Sequence, residues 1–380
     1  MPHSRRSFLT RTLGASWLSA SLLERATLRA AEARARAASA PDTLFEIDKV
    51  ADGVYAAIAR PAPVINCNAV VFENANDLLI VDTHSKPSAA AALAAQLRSI
   101  TSKPVRYVAS THFHFDHVGG APEYRKLAPQ ADFISSTVTR GLIADSAGVR
   151  FKQSLEAIRK SIDEAERKAA AAKTPREREH FRRAVGETRA FLAEMRNYSF
   201  ELPNVTFERN LVIHDKAHDL HLAFRGRGHT AGDIVVFCPE KKVIASGDLL
   251  HGFLPYVGDG YPRDWPGTLH ALAEFPFEYV IGGHGGVQHT RERLAQEAAY
   301  LEELTEAVAQ GKAQGRTVEQ LQAAITPASL KSLSNGGWGS YIAAQTVEYY
   351  YDALLQTPAE ALAGGLKENI ASTFRALERA

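Results

Sequence analysis

The amino-acid sequence predicts a mixed α/β (α+β) fold with a helical hairpin inserted into it and a helical extension at its end. Three observations carry that prediction. Short apolar runs bounded by turn residues recur in pairs and alternate with Ala/Leu-rich stretches. Between residues 150 and 197 the apolar spacing changes to steps of three and four, the period of a helix face. Beyond Thr290 the pattern is helical to the end of the chain.

The first residues read as a targeting segment rather than as structure. Ser4-Arg5-Arg6-Ser7-Phe8-Leu9 has the form of a twin-arginine export signal, and the apolar stretch from Leu13 to Leu23 is too short to span a bilayer. Ala35-Arg36-Ala37 and Ala38-Ser39-Ala40 offer small-residue cleavage sites. Residues 1–40 are therefore set apart. The expectation is a bacterial periplasmic protein that meets the twin-arginine export machinery and has no stable membrane anchor.

The folded part begins with Phe45 to Ala59, two strands around the turn signal Asp52-Gly53. Val70-Val71-Phe72 and Leu78 to Val81 form a second pair about Asn74-Ala75-Asn76. Pro87 to Ile100 is helical, with Pro87 in its opening turn. The apolar run Val105 to Ala109 is a strand, followed by a short helix (Pro122 to Ala128) and a strand (Asp132 to Ser135). Strand pairs interleaved with helices fit a sheet covered by helices on one face.

The hairpin follows. Leu155, Ile158, Ile162, Ala165 and Ala169 make one stripe, and Phe181, Val185, Leu192 and Met195 a second. Between them, Thr174-Pro175-Arg176-Glu177 combines a capping box with Pro at the first helical position. Residues 150–196 hold 13 Lys/Arg against 8 Asp/Glu, a net +5. The reading preferred is a solvated, salt-bridge-laced helical pair over an anion-attracting lid.

Strands resume with Val205 to Phe207, Leu211 to Ile213, Asp219 to Phe224, Ile234 to Cys238 and Val243 to Ala245. Arg291 to Gln310, Val318 to Ala324 and Tyr341 to Leu355 are helical. Tyr349-Tyr350-Tyr351 reads as core and interface packing.

Composition narrows the function. A formal net charge of +1 and a pI near 7.9 argue against a nucleic-acid or membrane surface. An apolar content of 45% supports a large core, and the partners expected are a small-molecule substrate and, at most, further copies of the chain. Cys67 and Cys238, each flanked by apolar sequence, read as buried thiols.

The chemistry is concentrated after the Val105 to Ala109 strand, in Ser110-Thr111-His112-Phe113-His114-Phe115-Asp116-His117-Val118-Gly119-Gly120. Side chains alternate along a strand, so His112 and His114 point the same way. Asp116 and His117 lie in the turn beyond, free to face a second point. Imidazoles with a carboxylate are what zinc accepts, along with other first-row metals. His214, His218 and His221 are scattered along strand and turn and read as structural or exposed.

H-x-H-x-D-H behind an apolar strand resembles the signature of the metallo-β-lactamase superfamily. Four further motifs follow that family's order: Asp82 after Leu78-Leu79-Ile80-Val81, His229 in Gly228-His229-Thr230-Ala231-Gly232-Asp233, Asp248 after Ala245-Ser246-Gly247, and His284 in Gly282-Gly283-His284-Gly285-Gly286. The resemblance covers about residues 43 to 290. It implies a four-layer αββα sandwich over residues 41–290, with the hairpin at about 150–197 as an insertion and 291–380 as a helical C-terminal extension.

His112, His114 and His229 offer one neutral three-imidazole site with an open fourth position. Asp116, His117 and His284 offer a second, and Asp248 reaches both; the resemblance supports the same assignment. It implies a dinuclear zinc hydrolase with two zinc per chain, iron or manganese being alternatives. A metal-bridging hydroxide would attack an ester, lactone, thioester, amide or phosphoester, oriented by Asp116 as the catalytic carboxylate. Asp82 is expected to support the ligand loop from behind. True β-lactamases of the family carry Cys or Ser where this chain has Asp248; a bridging Asp is what glyoxalase II, lactonase and phosphodiesterase-like members use. A β-lactamase-type amide hydrolase, a one-iron sulfur dioxygenase and a metal-bound scaffold are the competing readings. His251 stands where Cys-ligand lactamases hold a substrate-gripping Lys. It is the candidate substrate contact, charged below about pH 6.5, against the alternative of a loop brace.

Overall fold

The computed structural model describes residues 44–378, so the export signal expected at 1–40 lies outside the described residues. Seven strands build the first sheet in chain order: β1 (Phe45–Ala51), β2 (Val54–Ala59), β3 (Ala69–Glu73), β4 (Leu78–Val81), β5 (Val105–Ala109), β6 (Asp132–Ser136) and β7 (Val205–Phe207). Strands β1 to β4 pair antiparallel, and Gly53 at φ 73° makes the first turn. From β4 to β7 the pairing is parallel, which requires crossovers.

Helices supply those crossovers: α1 (Pro87–Leu97), the single turn α2 (Phe115–Val118), α3 (Ala121–Leu127), α4 (Thr137–Leu142), α5 (Gly148–Ala171) and α6 (Pro175–Glu194). The second sheet holds β8 (Asn210–Ile213), β9 (Leu220–Phe224), β10 (Ile234–Cys238), β11 (Val243–Gly247) and β12 (Tyr279–Gly282), in the order β12-β11-β10-β9-β8. Only β11 and β12 run parallel in it, joined across α7 (Trp265–Leu272). The chain then continues through α8 (Glu292–Ala313), α9 (Val318–Ala324), α10 (Lys331–Ser334), α11 (Trp338–Tyr349) and α12 (Pro358–Ala376).

Alternation along the strands sorts side chains into layers. In β4, Leu78 and Ile80 face Leu93 of α1 and Tyr124 of α3, while Leu79 and Val81 face the other sheet. In β10, Val236 meets them from the second sheet, and Val235 and Phe237 face Trp265, Leu269 and Leu301 on its outer side. Two sheets packed face to face with helices outside each make an αββα sandwich. Each large apolar side chain so buried contributes about 1.5–3 kcal/mol.

The inserted hairpin forms as α5 and α6, with the Thr174–Glu177 capping box closed in both directions. It is not a wholly solvated pair, however. Its outer faces are laced by ion pairs such as Arg189–Glu166 (2.6 Å), but Phe151, Phe191 and Met195 are buried against Phe115. The extension is also packed in place: Leu330, Leu333, Trp338 and Ile342 join the core outside the second sheet. Helix α12 lies within the helical extension expected at 291–380, and Thr357-Pro358-Ala359-Glu360, which repeats the capping signal seen at Thr174, marks its start. The two additions meet where Tyr351 stacks on His180, ring centroids 4.2 Å apart. Among the described residues no helix is long and apolar enough to cross a membrane.

Candidate metal centre

Strand β5 delivers the histidine loop to one edge of the sandwich. His114, extended at φ −64° and ψ 144°, precedes the single turn α2, which carries Asp116 and His117. The turn is pressed against the loop after β4: Thr83 N and Oγ1 both donate to His117 O, and Gly120 N donates to His84 O. A Cβ on Gly120 would collide with Thr83 O, so glycine is required for that approach. The second sheet contributes His229 from the turn before β10, Asp248 just past β11 and His284 just past β12. Gly283 leaves room for the Asp248 carboxylate, which a Cβ there would strike.

Each of four histidines has one ring nitrogen tied down behind the site. Asp82 stands at φ 63°, a left-handed conformation that L-residues seldom adopt. From there it accepts from Thr111 N (2.8 Å) and the Thr111 hydroxyl (2.9 Å), and from His117 Nδ1 (2.8 Å). The Thr111 hydroxyl, donating to Asp82, is left to accept from His112 Nδ1 (3.0 Å). His229 Nδ1 donates to Tyr256 O (3.1 Å), and His114 Nε2 donates to Asp259 Oδ2 (2.9 Å). In His112, His114 and His229 these partners fix the tautomer and leave the opposite nitrogen as a lone pair.

The lone pairs converge. His112 Nε2 lies 3.1 Å and His229 Nε2 2.9 Å from His114 Nδ1. Three unprotonated nitrogens in such contact cannot bond one another, and a divalent cation resolves the conflict. Beside them His284 Nε2 lies 3.2 Å and His117 Nε2 3.4 Å from Asp116 Oδ2. Asp248 stands between the sets: Oδ1 is 3.4 Å from His117 Nε2, while Oδ2 is 3.4 Å from His284 Nε2 and 3.5 Å from His229 Nε2. His117 Nε2 and Asp248 Oδ1 are buried without a hydrogen-bond partner. The donor set therefore fits metal binding, and Asp248 stands between its two groups of donors.

Charge is distributed unevenly across the two sets. Burial pushes His229 down to about 3 and His112 well below its ordinary value, so these two are neutral. In the second, burial opposes ionisation, but Asp248 and Asp116 hold His284 up at about 9. Burial would raise the two carboxyls as well, yet His117 and His284 keep both well below the carboxylate range.

All seven expected ligand residues thus lie in one cluster, and Asp82 lies behind it, bonded to His117 and Thr111. His251 lines the adjoining cavity, and its Nδ1 accepts from Phe253 N (3.3 Å), which braces the loop. Burial lowers it to about 4, so the positive charge expected below pH 6.5 does not form until well below that. His84 is turned away, its ring stacked on Phe45 and its Nδ1 bonded to Cys67 O. His214, His218 and His221 lie apart from the cluster.

The ligand cluster floors a cavity of about 500 Å³. Phe113, Phe115 and Phe200 line it together with Arg150 and Phe151 of α5, Leu254, and residues of α11 and α12. Sequence reasoning missed Asp259, which bonds His114 and is also paired with Arg150 of the hairpin. The sequence hint at Asp259 is only the turn Gly258-Asp259-Gly260. It also missed Tyr350, which lines the cavity instead of only packing in the core.

Comparison with known proteins agrees with this architecture. Residues 62–284 match the family model described as the metallo-beta-lactamase superfamily. The chain is 28% identical over 103 residues to a metallo-beta-lactamase type 2 of Elizabethkingia meningoseptica, 24% of this chain and 41% of that protein. It is 24% identical over 251 residues to a linear primary-alkylsulfatase of Pseudomonas sp. (strain ATCC 19151), 60% of this chain and 43% of that protein. The matched regions thus span less than half the length of either curated relative. In fold the chain is similar to a metallo-beta-lactamase from Pontibacter korlensis, with a TM-score of 0.50 and 17% identity over 68% of this chain and 99% of that one. The family model spans more than half of the chain and includes all seven clustered residues, so the chain belongs to the metallo-β-lactamase superfamily.

Proposed function

We propose that the chain is a dinuclear zinc hydrolase acting on an ester-class substrate that carries an apolar group. The observation that supports it best is Asp248, placed between two ligand sets at the floor of a largely apolar cavity. Ions held by His112, His114 and His229, and by Asp116, His117 and His284, would supply Lewis acidity and a water acidic enough to ionise near neutral pH. The chain's own groups do the rest. Asp116, kept ionised, accepts a hydrogen bond from the attacking water and orients it. Phe113, Phe115, Phe151 and Phe200 take the apolar group and exclude bulk water. Neither cysteine competes as a nucleophile, since burial pushes Cys67 up to about 12 and Cys238 up to about 11.

Sulfate esters of primary alcohols belong first in a substrate panel, because the alkylsulfatase relative is named for them and the cavity suits an alkyl chain. Carboxylic esters, lactones, thioesters, amides and phosphoesters complete it. Zinc-loaded protein should turn over at least one ester class, and Asp116→Asn should lower kcat by about 10²- to 10⁴-fold with the fold retained. Turnover of none, or an Asp116→Asn variant as fast as wild type, would refute the proposal.

A further inference from the structure

Behind the metal centre lies a second, smaller cavity of about 230 Å³ that the hydrolytic reading does not use. Ile65, Phe253, His284, Tyr350 and Asp352 line both cavities, so the two compartments adjoin at a metal-set histidine. The far wall of the smaller one is the loop leaving β2, which carries Arg60. Arg60 Nε is buried and has no hydrogen-bond partner.

A guanidinium stays charged at any pH the fold survives and presents a fixed fork of donors. A buried donor left unpaired costs the desolvation of that group, and an anion in the fork offsets the cost. The neighbouring polar groups are mostly donors too. Burial raises the Tyr349 and Tyr350 phenols, which therefore remain protonated. Asn66 Oδ1 accepts from Ser85 N (2.9 Å), leaving its amide hydrogens available. Asp352 is the one carboxylate on this wall; burial raises its pKa, and the charged neighbours that act on it are Lys168 and Glu164 of the hairpin.

We propose that this compartment is a subsite for a small oxyanion, held by Arg60, and that its occupant is the anionic product of the ester cleavage proposed above. Hydrolysis splits an ester into an alcohol and an acid. The apolar alcohol leaves by the wide cavity and the oxyanion passes His284 and Tyr350 into the narrow one. The identification of the occupant rests on the hydrolase reading; the anion site does not.

Sodium sulfate titrated calorimetrically into the metal-loaded full chain, at constant ionic strength, tests it without any turnover. One saturable site per chain is expected, weakened at least about tenfold in Arg60→Gln, with metal content and melting temperature unchanged. Arg60→Lys should recover part of the affinity, since it restores the charge without the fork. If Arg60→Gln does not fold, Ala62→Phe, which fills the compartment from the same loop, should abolish binding. No saturable sulfate binding, or equal affinity in Arg60→Gln or Ala62→Phe, overturns the subsite. Sulfate binding through Arg60 in a chain that turns over no ester would overturn the hydrolase reading instead.

Discussion

Asp82 illustrates how single residues set this site. Its left-handed backbone aims both carboxylate oxygens at one point, where they accept from Thr111 and His117 and so orient His112 and His117 at once. Removing partners of this kind typically costs about 10–100-fold in metal affinity. The clustered residues themselves were legible in sequence because four of them sit within six positions behind one strand. Asp259 was not legible, since it reaches His114 from 145 residues away and belongs to no motif. The two ligand sets also differ in proton content. His284, held up at about 9, keeps its proton at pH 7, whereas His229, pushed down to about 3, has lost its own. A metal must displace the first and not the second. Zinc titrated at pH 7 in two buffers of different ionisation enthalpy should release protons with the second ion bound and not the first. Affinity at the second set should rise as pH approaches 9. Equal proton release at both steps would contradict this account of the charges.

At the scale of elements, the hairpin and the C-terminal helices turn a shared sandwich into a particular cavity. The stripes in α5 and α6 and the capping box were readable from spacing alone. Their docking was not, because periodicity marks an apolar face without naming what covers it. What covers it is the ligand loop: Phe151 packs against Phe115, beside Asp116. Phe151→Ala should therefore cost about 3–5 kcal/mol in denaturant unfolding. It should also raise KM for a long-chain substrate more than for a short one. A loss below about 0.5 kcal/mol, the size of an ordinary surface change, would mean that the hairpin is the solvated pair its charge suggested.

Across the whole molecule, each half of the sandwich supplies an incomplete site. The first gives His112, His114, Asp116 and His117, the second gives His229, Asp248 and His284, and the layers between them hold the two groups in register. The αββα order was implied by the family resemblance that the motifs carry; the packing of α12 over the cavity was not, since it depends on contacts between distant parts of the chain. We propose that Arg5-Arg6 directs export of the folded, metal-loaded chain. Replacing both with Lys should leave precursor in the cytoplasm, and normal periplasmic accumulation would refute that.

The claim on which the rest depends is that two ligand sets share Asp248. Elemental analysis of the purified chain after gel filtration tests it most directly, with Asp248→Ala measured beside wild type. Two zinc ions per wild-type chain, and loss of at least one in Asp248→Ala, is the predicted result. A single iron per chain, or two zinc ions retained without Asp248, would contradict it.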